Sequence, residues 1–393
     1  MKTEEATGGG PMSSSPDAAS REPNTSGNRA KKRLLLPRNR LEHSGSLEPP
    51  NLKKNNSGSG ERPQAHESHP FKPNTENQRK WCERILTTKV KSILREFESI
   101  RDDTADNAEK DGGAERLQEA KNRYPNIPLA EKSRVVLRHV EHGYIHASWV
   151  RVPSHGSAYI CAQGPLDSTV DDFWSMMLQE KVRIILQLCD YVEGEKEKCA
   201  RYLPEKPADQ MQCGEVTVRN DGEGSTIGLP LSARVTKLHV SSKTLGLKSV
   251  TLEHVLLPDW PDQSAPANAD DIVKLYGWMK DRQQGKRPVV VHCSAGIGRS
   301  VTFVAIDYAS VCISNDPNRP MADVVQEIRR QRIKGIQSAY QYLFLHVCML
   351  DNFARENVIQ LDDRLRIFKD EYARIVERKN QKQKAAASAA TAT

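Results

Sequence analysis

The sequence predicts an α/β (α+β) fold, a central twisted mixed sheet flanked by helices. Three observations predict it. Strand-like and helix-like segments alternate over roughly 270 residues from Asn77 onward, the pattern of one layered domain rather than of separate all-α and all-β units. One apolar run, Val289, Val290 and Val291, passes straight into a loop of small residues and then into a helical pattern. The stretch before Asn77 is rich in Ser, Gly, Pro, Asn and charge and has almost no aromatic or β-branched residues, so it cannot supply a second core.

The elements follow in chain order. Residues 1–76 read as a disordered basic tail. Order begins near Asn77, where Trp81, Ile85, Val90, Ile93, Leu94 and Phe97 recur as on the apolar face of one helix. Residues 101–113, acidic and Gly-rich, read as a loop. Strands are expected at 135–140, 159–162, 182–188, 215–218, 236–240 and 249–257, where β-branched residues concentrate or polarity alternates. Helices are expected at 170–179, 269–283, 300–314, 321–332 and 338–355. The main domain should therefore span 77–355. An amphipathic helix is expected over 356–378, carried by Leu361, Leu365, Phe368, Tyr372, Ile375 and Val376, before a disordered tail at 379–393.

Charge and composition narrow the functional classes. Of the formal net charge of +7, the first 80 residues carry +5, with 14 basic against 9 acidic side chains, so the remainder is nearly neutral. No nucleic-acid-binding motif accompanies the basic tail, so a nucleic-acid partner is not expected. No apolar run approaches the ~20 residues that span a bilayer, and the N-terminus lacks the apolar core of a signal peptide. The expectation is a monomer that is cytoplasmic or also nuclear. Eight cysteines without CxxC pairs fit free thiols in a reducing compartment. His66 and His69 sit among Glu, Ser and Pro with no partner cluster, so no metal and no cofactor is expected. The basic run from Arg29 to Arg40 (RAKKRLLLPRNR) suits a kinase-docking or import-receptor contact, against the plainer reading of a solvated tail.

The chemistry concentrates in the segment His292, Cys293, Ser294, Ala295, Gly296, Ile297, Gly298, Arg299, Ser300. A strand that runs through a small-residue loop into a helix N-terminus aims several backbone N–H groups at one point, and the helix dipole adds positive charge there. Such a cradle holds phosphate. A cysteine at its start should be a thiolate, the nucleophile that phosphorus needs. Arg299, six positions on, can come alongside two phosphoryl oxygens in a bidentate grip that Lys could not make. A cysteine taken at random is a buried packing residue. Packing alone would not require the arginine, the two glycines and the following serine.

HCSAGIGRS resembles the signature of the phosphotyrosine-specific non-receptor protein tyrosine phosphatase family, and the resemblance continues along the chain in the family's order. Lys121-Asn122-Arg123-Tyr124 is similar to the phosphotyrosine loop, YIHASW at 144–149 to YINASY, and Gln163-Gly164-Pro165-Leu166 with Asp172-Phe173-Trp174 to QGPL…DFW. Lys198-Cys199 with Tyr202 and Pro204 resembles KCxxYWP, Trp260-Pro261-Asp262 the mobile acid loop, and residues 337–341 the glutamine loop.

The resemblance implies a cysteine-dependent phosphatase fold acting on phosphotyrosyl proteins. Cys293 would attack phosphorus, Arg299 would hold the phosphoryl group, and Asp262, 31 residues before Cys293, would be general acid and then base. Gln341, helped by Gln337, would place the hydrolytic water, and Ser300 would stabilise the departing thiolate. Tyr124 would set the depth of the pocket and Asn126 would stand where the substrate backbone binds. Ser294, Ala295, Gly296, Ile297 and Gly298 would cradle the phosphate. His292, Glu193, Lys198 and Trp260 would support the site, with Glu193 pairing with Arg299.

Several positions depart from the family pattern: QSAP at 263–266 in place of HGVP, Leu203 for Trp, Asn126 for an acidic residue, and His146 for Asn. Two other readings remain in view. A phosphotyrosine-binding pseudophosphatase scaffold would usually lack the nucleophile or the acid. A dual-specificity phosphatase would have a shallower pocket than Tyr124 implies.

Overall fold

A computed structural model describes residues 71–100, 118–154, 157–283 and 287–391. The basic run from Arg29 to Arg40, the His66/His69 pair and the loop expected at 101–113 lie outside the described residues.

Helix α1 (Thr75–Thr87) is capped by the Asn74 side chain and buries Trp81, Cys82 and Ile85; α2 (Val90–Glu98) buries Val90 and Ile93. One helix was expected here. Thr88 and Lys89 instead take extended conformations, and the hydroxyls of Thr87 and Thr88 both donate to the Arg84 carbonyl, an acceptor the continuing helix would have used. The apolar spacing survives because both halves pack on the same core.

Strands β1 (Arg134–Val136), β2 (Tyr144–Arg151), β3 (Ala158–Ala162) and β4 (Ile184–Gln187) come next, with α3 (Val170–Gln179) between the last two. A small hairpin, β5 (Val192–Glu193) and β6 (Lys196–Glu197), precedes β7 (Gln210–Cys213), β8 (Val216–Glu223), β9 (Arg234–Ser241) and β10 (Val250–Leu256). Helix α4 (Asp270–Arg282) leads to β11 (Val289–His292), and α5 (Arg299–Asn315), α6 (Met321–Arg329), α7 (Ala339–Arg355) and α8 (Asp363–Thr391) complete the chain.

Among the described residues the main sheet has nine strands in the order β1-β2-β3-β11-β4-β10-β9-β8-β7. It is mixed, as expected: β11 runs parallel to β3 and β4, β4 parallel to β10, and the outer pairs are antiparallel. All four residues of β11 are buried, which is why a continuous apolar run marks it. The polar β7 (QMQC) was not expected; it sits at the sheet edge, where one side needs no apolar partner.

The last helix buries Leu365, Phe368, Tyr372 and Val376, while Leu361 is 79% exposed and takes no part in that face. It continues past the last apolar residues as far as Thr391. No helix among the described residues is long and apolar enough to cross a membrane.

Candidate active site

The centre of the sheet delivers Cys293. Its residue follows β11 directly and is 3% exposed, and the Gly296 amide points at its sulfur, N to Sγ 3.3 Å. The loop from Cys293 to Gly298 is turned by its carbonyls. Those of Ser294 and Ile297 accept from the amides of Gly164 and Ile336, at 2.8 and 2.9 Å. Those of Ala295 and Gly296 both accept from the Arg332 guanidinium, at 3.0 Å each. In a planar trans peptide the N–H points opposite the C=O, so carbonyls tied outward leave the following amides facing the thiol side. Gly296 is needed for this. Its φ is +69°, and a Cβ there would lie 2.1 Å from the Ala162 carbonyl oxygen.

Arg332 had no signal in the sequence, where it looked like one more charge at the end of a basic helix. It is fully buried and also meets Ser148 and His146. Arginine only donates, so His146 Nδ1 accepts at 3.1 Å and its Nε2–H donates to the Ile127 carbonyl at 2.8 Å. Burial, reinforced by Arg332, pulls His146 down to about 3 and keeps it neutral. His146 in place of Asn thereby joins the phosphotyrosine-loop segment to the signature loop.

A second buried network lies behind Cys293. The Tyr202 hydroxyl meets His292 Nε2 at 2.6 Å, His254 Nε2 at 2.8 Å and Gln187 Oε1 at 3.1 Å. Burial pulls His292 down to about 4 and His254 to about 3, so both rings are neutral and act as fixed hydrogen-bonding groups. His292 Nδ1 then donates to the Cys293 carbonyl at 3.2 Å.

Arg299 opens α5 and is 1% exposed. Glu193 holds both its terminal nitrogens, with Nη2 to Oε2 at 3.1 Å; Nη1 also donates to the Trp260 carbonyl at 3.0 Å, and Nη2 to Asp262 Oδ1 at 3.1 Å. Burial disfavours the guanidinium charge, but Glu193 and the thiol neighbours outweigh it and hold the group above its ordinary range. Within the site, Arg299 Nε and the fully buried Ser300 hydroxyl have no hydrogen-bond partner among the described residues.

Asp262 lies over the same cavity. Its Oδ2 accepts from Lys198 Nζ at 2.7 Å, and its Oδ1 from Arg299 and from the Gln263 amide. Burial pushes this carboxyl up, while Arg299 and Lys198 together bring it below the usual carboxylate range. It is ionised in the arrangement described.

Cys293, Arg299, Asp262, Tyr124, Asn126, Ser294, Ala295, Gly298 and Gln337 line one cavity of about 170 Å³, joined by Ile127 and Gln263. The Tyr124 hydroxyl bonds Ser294 Oγ at 2.8 Å. Gln341 is 1% exposed and sits behind Gly298, where an added Cβ would meet its amide nitrogen at 2.9 Å, and its Oε1 accepts from the Gln337 amide at 3.0 Å. Ile297 is buried beneath the loop. Arg123 fixes the Tyr124 segment by donating to the carbonyls of Gly164 and Pro165 at 3.0 and 2.7 Å.

Residues 118–351 match the family described as protein-tyrosine phosphatase. The chain is 34% identical over 267 residues to tyrosine-protein phosphatase 69D of Drosophila melanogaster, 66% of this chain and 18% of that protein. It is 30% identical over 273 residues to tyrosine-protein phosphatase non-receptor type 20 of Rattus norvegicus, 69% of this chain and 63% of that one. It thus spans less than two thirds of the length of these relatives. The crystal structure of the catalytic domain of human protein tyrosine phosphatase non-receptor type 18 superposes with a TM-score of 0.61 at 26% identity, over 70% of this chain and 99% of that one. On the match over 118–351 and the nine-stranded sheet, this chain belongs to the protein-tyrosine phosphatase family.

Proposed function

We propose that the chain hydrolyses phosphotyrosine in proteins through a phosphocysteine intermediate. The observation that carries this is the convergence of a thiol, a buried guanidinium and a carboxyl on one small cavity. The related non-receptor type 18 phosphatase has been solved with HER2 phosphopeptides, which supports a phosphotyrosyl peptide as the ligand class.

The Cys293 thiolate attacks phosphorus and forms an S–P bond as the bond to the tyrosine oxygen breaks. The leaving phenolate takes a proton from Asp262. Before substrate arrives, Asp262 is a carboxylate held by Arg299 and Lys198. An arriving phosphoryl dianion competes for Arg299 and places negative charge beside Asp262, which raises its proton affinity. The phosphoryl oxygens then occupy Nη2 and the unpartnered Nε, an in-plane pair of donors. In the second step water, positioned by Gln341 and Gln337, gives a proton to Asp262 and attacks phosphorus. The S–P bond breaks, phosphate leaves, and the Ser300 hydroxyl donates to the restored thiolate.

Purified protein in reducing buffer should hydrolyse a phosphotyrosyl peptide. Cys293→Ser should lower turnover by about 10³-fold or more and still bind the peptide. A wild-type protein that binds such peptides and never releases phosphate would be a scaffold instead.

A further inference from the structure

The acid loop is fastened from the far end of the chain. Ser264, fully buried, donates its hydroxyl to Asn380 Oδ1 at 2.5 Å, and Asn380 Nδ2 donates to the Ala265 carbonyl at 3.1 Å. About two turns earlier on α8, the Tyr372 hydroxyl donates to the Pro266 carbonyl. The Tyr372 ring stacks on Phe344 at 5.8 Å, and Phe344 meets the Trp260 indole edge-on at 5.2 Å. Trp260 Nε1 in turn donates to the Ser264 carbonyl at 3.1 Å. Both ends of the loop therefore bear on α8.

We infer that Asn380, assisted by Tyr372, is a positioning residue for Asp262, and that α8 holds the acid loop over the phosphate cavity; this rests on the phosphatase reading above. An amide fits the place because it supplies an acceptor for Ser264 and a donor for Ala265 from one planar group. The fastening depends on Ser264, one of the positions where QSAP departs from HGVP, because a glycine would offer no hydroxyl. Between Asp262 and Ser264, Gln263 has φ +52°, a left-handed backbone costly for a side-chain-bearing residue. Contacts that hold residues 264–266 also hold this turn, and the turn aims Asp262 at the cavity.

The test uses the full chain and Asn380→Ala, with Ser264→Ala and Asn380→Asp beside it. Asn380→Ala loses both bonds to the loop, so kcat/KM on phenyl phosphate should fall about tenfold. The fall on an activated dinitrophenyl ester, whose leaving group needs no proton, should be much smaller. Ser264→Ala and Asn380→Asp, each losing one bond, should fall between the parent and Asn380→Ala. Hydrogen exchange at the Ser264 amide, bonded to the Pro261 carbonyl at 3.3 Å, should quicken by a similar factor in Asn380→Ala, whether or not turnover is measured. An unchanged leaving-group dependence with unchanged exchange overturns the inference. So does an equal loss on both esters with exchange quickened throughout the domain, which would mean a general loss of folded protein. If the parent hydrolyses neither ester, the phosphatase reading fails, and loop exchange alone then decides the role of Asn380.

Discussion

The signature loop and the acid loop face each other across one cavity and are built in opposite ways. The first is short, buried and held at its backbone: four consecutive carbonyls are tied outward, two of them by Arg332, and Gly296 fits where no side chain could. The second presents Asp262 with a side chain 40% exposed, and it stays in place through two cations and a distant helix. Cys293, the proposed nucleophile, sits in a cradle fixed at four carbonyls, whereas Asp262, the proposed acid, sits on a segment held by side-chain contacts that can be changed one at a time.

That contrast can be broken by experiment. Gly296→Ala should have the largest effect, because its methyl would collide with the Ala162 carbonyl. Activity on any aryl phosphate should fall by about 10³-fold, and urea denaturation should show a loss of about 2–3 kcal/mol. Retention of near-parental activity would mean that the cradle adapts after all. Asp262→Asn should cost about 10²-fold on a phosphotyrosyl peptide. The parent's activity should decline as pH rises and Asp262 loses its proton, and the variant should show no such alkaline decline.

Lys198→Met should have the smallest effect, about fivefold, since its partner is partly exposed. Its sign is the informative part. Lys198 and Arg299 hold the Asp262 carboxyl low against burial, so removing Lys198 lets the carboxyl keep its proton to higher pH. The alkaline limb of kcat/KM should shift upward in pH, and a downward shift would show that Lys198 does not act on the acid in solution.

What the sequence revealed follows the same division. The strand, small-residue loop and helix from Val289 to Ser300 are contiguous, so composition and spacing were enough to expect the cradle. Trp260 and Asp262 were legible through resemblance. Arg332 was not, because a buried arginine and a surface arginine look alike until the carbonyls they meet are known. Asn380 was not legible either: it lies 116 residues from Ser264, and no periodicity links the two. The single helix expected from Asn77 failed for a local reason, two threonine hydroxyls competing for one carbonyl. His146 looked anomalous against the family pattern and becomes intelligible only beside Arg332 and Ile127.

The unpartnered Arg299 Nε has a thermodynamic consequence. Arg299 lines the cavity, so its Nε can bond an inert tetrahedral oxyanion that settles there without any reaction, and a hydrogen bond to a charged group is worth about 1.5–3 kcal/mol. The melting temperature should therefore rise in vanadate or phosphate over chloride at equal ionic strength, so that the heat resistance of this protein becomes a gauge of how full its cradle is.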